Sequence, residues 1–113
     1  MTFSERMKDF VDKGIKASKN IAKQTGDKAQ EWGEKGVLKL EVLQLRNQAE
    51  KLTARLGAEV YEVLVEKAQK TVGRESPSVK QTIEQIQALE LQIKEKEEAF
   101  GKAGGKEEDL STP

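Results

Sequence analysis

The chain contains no cysteine and no histidine. That excludes a disulfide framework, a thiolate or imidazole metal site, a cysteine nucleophile and an imidazole base working near neutral pH. Missing cysteines also fit a reducing compartment. Proline occurs only at positions 77 and 113, so little in the chain breaks a helix. Aromatic residues make up 4% of the chain, namely Phe3, Phe10, Trp32, Tyr61 and Phe100. Net charge is also missing: 20 Lys and Arg balance 20 Asp and Glu. Global steering toward nucleic acid is therefore not expected. No apolar run approaches the ~18–20 residues of a membrane span, and the first twenty residues lack the apolar core of a secretion signal. The composition reads as a soluble, cytoplasmic protein, with peripheral contact at a membrane left open.

What the 113 residues do contain is helix-forming material, 35% hydrophobic and 35% charged. Such a balance suits thin helices with one apolar stripe each. The apolar series Leu38, Val42, Leu45, Ala49, Leu52, Leu56 alternates steps of four and three, the mark of a heptad seam. Val60 and Val63 continue it after a small stutter. The stretch 37-VLKLEVLQL-45 also alternates partly as a strand would, but it runs without punctuation into 46-RNQAEKLTARL-56, which has no strand character. A break at 73-GRESP-77 follows, where Ser76 can cap a helix with Pro77 in its first position. The third helix carries Val79, Ile83, Ile86, Ile93 and Phe100. Two such helices joined by a short connection predict an antiparallel hairpin.

The first segment has an eleven-residue period. Phe3, Gly14, Thr25 and Gly36 share one position; Met7, Ser18, Ala29 and Leu40 share another; Phe10, Ile21, Trp32 and Leu43 share a third. Eleven residues make three turns at ~3.67 per turn, close to an unstrained helix. The glycines at 14, 26, 33 and 36 therefore lie on the apolar face, beside Ser18, Ala22 and Ala29. Small residues there admit close approach of another helix. The face can instead lie on a lipid surface, with lysines meeting anionic headgroups.

The expected architecture is all-α: an antiparallel two-helix coiled-coil hairpin over 37–100, preceded by a long amphipathic helix over 1–36. These close into a three-helix bundle or assemble into an oligomer, and 101–113 forms a disordered tail. With the second helix running to Val72, Phe100 falls level with about Ala49. That leaves Val37, Leu38, Leu40, Val42, Leu43 and Leu45 uncovered. Either the first helix folds back through a bend at 33-GEKG-36 or another chain covers them.

The stretch 40-LEVLQLRNQAEKLTARLGAEVYEVLVEK-67, with Leu56, Gly57, Val60 and Tyr61, resembles the helical stalk region of small bacterial zinc-ribbon-containing proteins of unknown function. In those proteins a lysine-rich leader like 8-KDFVDKGIKASKNIAK-23 precedes the stalk, and a helix like 83-IEQIQALELQIKEKEEAF-100 follows it. The zinc ribbon itself is absent here, so the resemblance implies architecture and no zinc role. The leader is also similar in composition to the eleven-residue repeats of lipid-surface proteins such as synucleins.

No residue set reads as catalytic, cofactor-binding or metal-binding. The cluster Glu95, Glu97, Glu98 reads as a solvated face. The run 101-GKAGG-105 lacks the strand before it and the helix after it that a phosphate loop needs. The expectation is a non-enzymatic interaction protein without cofactor, small-molecule substrate or nucleic-acid partner. Its candidate contact residues are Phe3, Met7, Phe10, Val11, Ile15, Ile21, Trp32, Val37, Leu38, Leu40, Leu43 and Leu45. The partner is a second copy or a helical protein; the alternative is an anionic membrane surface.

Overall fold

The computed structural model describes residues 2–27 and 29–110, with side chains at 2–17 and 33–110. Helix α1 spans Phe3–Asp27, α2 spans Ala29–Tyr61 and α3 spans Pro77–Lys102. No strand occurs among the described residues, so 37–45 is helical as expected. Helix α2 is central: α1 and α3 each pack along it and scarcely meet each other. The molecule is a rod of 52 × 24 × 23 Å.

Helix α1 opens on a capping box. The Glu5 amide donates to Thr2 Oγ1 at 3.2 Å, and the Thr2 amide donates to Glu5 Oε2 at 3.3 Å. Thr2 thus caps the helix, and Ser4 turns inward. Helix α1 then runs antiparallel to α2, with Lys8 on Glu62 and Asp12 on Arg55. The reversal between them uses Gly33, whose backbone at φ 73°, ψ 170° leaves the helical region. Only glycine adopts that conformation without strain. Of the two covers open to the apolar run 37–45, a bend within the chain is therefore one that the structure uses.

Helix α2 stops short of Val72. After Tyr61 it widens into one π-helical turn over Glu62–Glu66, closed by the Lys67 amide on the Glu62 carbonyl at 2.8 Å. Ala68 follows at a positive φ of 54°, and residues 67–76 return without helix. The third helix starts where the sequence indicates, with Pro77 first and Ser76 before it. The Ser76 hydroxyl, however, accepts from the Gly73 amide at 3.0 Å instead of capping the helix.

The earlier end of α2 shifts the hairpin register. Phe100 meets Leu38 and Val42, not the neighbourhood of Ala49, and Arg46 pairs with Glu97 at 3.0 Å. Over residues 101–110 the structure also differs from a disordered tail. The Gly105 amide donates to the Phe100 carbonyl and the Gly104 amide to the Gly101 carbonyl, with Gly104 at φ 94°. This pair of bonds is a Schellman stop, which needs a left-handed residue after the helix. The chain then folds back through a 3-10 turn at Glu107–Leu110, and Leu110 packs with Leu38, Val42 and Phe100. Val42 at 0% and Phe100 at 1% exposure form the centre of this cluster. At the other end of the hairpin Val63 and Val79 are buried.

Candidate interaction surface

The described residues expected to form one face divide into three groups. Val11 and Leu38 are buried, so they hold the fold together. Met7, Ile15, Val37, Leu40, Leu43 and Leu45 are half-buried. Phe3 and Phe10 point out, at 58% and 70% exposure. The side chains of Ile21 and Trp32 lie outside the described residues.

The division follows from helix geometry. Ser4, Val11 and Ile15 repeat at seven and four and turn toward α2; Phe3 and Phe10 repeat at seven, one residue out of phase. Their stripe therefore runs along the flank where α1 meets α2, on the side away from α3. Phe3 rests against Tyr61, ring centres 5.3 Å apart at 59°. Farther along the same flank a groove of about 420 Å³ is lined by Gly14, Ala17, Leu40, Leu43, Asn47 and Lys51. A Cβ added at Gly14 would meet the Lys51 chain at 2.9 Å, so the glycine lets that lysine lie across α1. Ala54 and Gly57 are exposed on α2 and keep this flank low. Val65 extends the exposed apolar surface past the end of α2, at 55%.

Sequence reasoning missed Tyr61 and Val65 as part of this surface. The ring contact of Tyr61 to Phe3 comes from the α1–α2 register. Also missed was a polar clasp at the same end. Ser4, fully buried, places its hydroxyl 2.5 Å from Glu66 Oε1 and 3.1 Å from Glu62 Oε2. Lys8 donates to Glu62 at 2.6 Å, and Lys67 sits 3.4 Å away. The hydrogen bond from Lys8 holds the Glu62 carboxyl below its usual range; burial pushes the other way, and the Ser4 hydroxyl adds to the lowering.

A second crevice, of about 320 Å³, lies between α1 and α3 and is floored by Gln48, Leu52 and Arg55. Its charged groups are committed: Arg55 holds Asp12 at 2.5 Å. Glu59, 5% exposed, stands 3.9 Å from Arg55 Nε. Gln85 and Gln92 line the α3 side. Among the described residues no group of three or more acidic side chains is placed to hold a metal ion. Among the same residues no helix is long and apolar enough to cross a membrane.

Comparison with protein-family models, curated proteins and solved structures finds no match. The stalk-like stretch around Leu56, Gly57, Val60 and Tyr61 therefore stands as a likeness of sequence alone.

Proposed function

We propose that this chain is a non-catalytic interaction protein that recognises an apolar helix, in a second copy or in another protein, through the α1–α2 flank. The observation that carries the reading is the exposure of Phe3 and Phe10, one heptad apart on one edge of α1, at 58% and 70%. Burying a phenylalanine side chain is worth about 1.5–3 kcal/mol, so an uncovered pair represents substantial unused affinity. The low positions Ala17 and Ala54 let a partner backbone come close, and Leu40 and Leu43 extend the seat. Aromatic anchors beside small residues are what a helix-to-helix contact uses.

An anionic membrane surface is the second reading, favoured by the exposed Arg6 and Lys13 next to the phenylalanine stripe. Lys13 is already paired with Asp9 at 3.0 Å, which reduces the positive rim that headgroups would meet.

Sedimentation of the full chain from micromolar to millimolar concentration tests self-association, alongside a chain carrying Phe3→Ser and Phe10→Ser. The expected result is a mass rising above 12.6 kDa for the wild type and not for the variant, with helicity equal in both. A wild type that stays monomeric rejects pairing between copies. A blue shift of Trp32 emission with phosphatidylglycerol vesicles, abolished by the same two substitutions, moves the assignment to the membrane.

A further inference from the structure

The α2–α3 joint buries Leu38, Val42, Phe100 and Leu110 together and adds the ion pairs Arg46–Glu97 and Lys96–Glu41. Among the described side chains, the α1–α2 joint buries Val11, half-buries Met7 and Ile15, and adds polar contacts: Ser4 on Glu62 and Glu66, Lys8 on Glu62, Asp12 on Arg55. At the turn, Gly33 departs from helical geometry while α1 and the rest of α2 keep it. Glycine passes between that conformation and the helical one at little cost.

The sequence adds an independent observation. The apolar pattern keeps its eleven-residue phase straight through the turn, as Phe10, Ile21, Trp32, Leu43 and as Met7, Ser18, Ala29, Leu40. Two helices that only ever face each other across a turn need no common phase. One continuous helix does, because it carries all of these positions on a single face.

We infer that α1 is an exchangeable arm and that two copies of this chain pair by swapping it. Gly33 enters the helical region, α1 runs on from α2, and the Ser4, Lys8 and Asp12 of one copy engage the Glu62, Glu66 and Arg55 of the other. The closed chain and the swapped pair share every contact of the α1–α2 joint and differ at the hinge. The inference does not rest on the phenylalanine flank; the pair would display two such flanks, which multiplies any affinity they have.

The test uses the full chain carrying Phe3→Ser and Phe10→Ser, so that pairing through the flank is removed, with and without Gly33→Ala. Alanine is strained at φ 73° but favoured in a helix. Relief at two hinges per pair should tighten dimerisation about a hundredfold or more. The sedimentation mass then moves from 12.6 kDa to twice that value. The absence of cysteine allows the topology to be read directly. Gly33→Ala chains carrying Asp12→Cys are mixed with Gly33→Ala chains carrying Arg55→Cys and treated with a short bismaleimide. Swapping predicts a cross-linked product containing one chain of each kind. Insertion of two glycines after Gly33 should lengthen the turn and restore the monomer. A Gly33→Ala chain that stays monomeric at every concentration, with or without helicity in α1, overturns the inference. So does a dimer that bridges 12 to 55 only within one chain, or one that survives the glycine insertion. Each of these leaves the flank assignment standing on its own test.

Discussion

Replacing Leu110 by alanine separates the folded carboxyl-terminal turn from a disordered tail. Leu110 is 4% exposed and packs on Leu38, Val42 and Phe100. Truncating a buried leucine costs 2–5 kcal/mol, depending on how well the site collapses. Here the residue sits in a short 3-10 turn at the end of the described chain, which can settle inward, so the expected loss is about 2 kcal/mol. A chain of this size is stable by about 6–17 kcal/mol, so the change is a visible fraction of the whole. Urea unfolding followed by far-ultraviolet dichroism reads it. At a slope of about 1–3 kcal/mol/M, the midpoint should fall by about 1 M with the slope unchanged. A midpoint within about 0.2 M of wild type would show that the turn does not dock on the hairpin. The register argument that puts Phe100 over Leu38 and Val42 would still stand, but the burial of Leu110 would not.

Further outcomes follow from other contacts. Gly105→Ala puts a Cβ into the Phe100 ring and should destabilise by about 1–3 kcal/mol, measured in the same urea titration. Ser4→Ala removes the hydroxyl between Glu62 and Glu66; it should cost about 1–3 kcal/mol and lower amide protection in residues 4–17 more than in α3. Glu62 has a lowered pKa in the folded chain, so its contribution is fully present above the ordinary value of 4.5 and is lost as pH falls through the lower folded value. Hydrogen exchange under acid should therefore open the α1 clasp first, and Glu62→Gln should remove that pH dependence. Arg55→Ala leaves Asp12 and the buried Glu59 without their cation and should cost about 1–3 kcal/mol, whereas exposed Lys94→Ala should change stability by less than about 0.5 kcal/mol.

The seam of the hairpin was legible because Leu38, Val42, Leu52, Val63 and Val79 keep a helical spacing that burial rewards. The start of α3 was legible from Ser76 and Pro77, which carry local signals. The end of α2 was not, since Val60 and Val63 continue the apolar spacing through the point where regular helix stops. What marks that point is tertiary: Glu62 and Glu66 face Ser4 and Lys8 from far away in sequence. The glycines at 104 and 105 read as linker because their role depends on a Phe100 ring beneath them. The eleven-residue pattern located the apolar face of α1 but could not divide it into buried and exposed halves. Val11 and Phe10 are neighbours in the chain, and only the rotation of α1 against α2 decides that one is buried and the other open.

Three helices alternating in direction give the rod a polarity. Residue 2 lies at the pole where α2 ends, beside Glu62 and Glu66. Residue 110 lies at the opposite pole, against Leu38. Whatever is joined before the first helix and whatever is joined after the last turn would be held apart along a body 52 Å long.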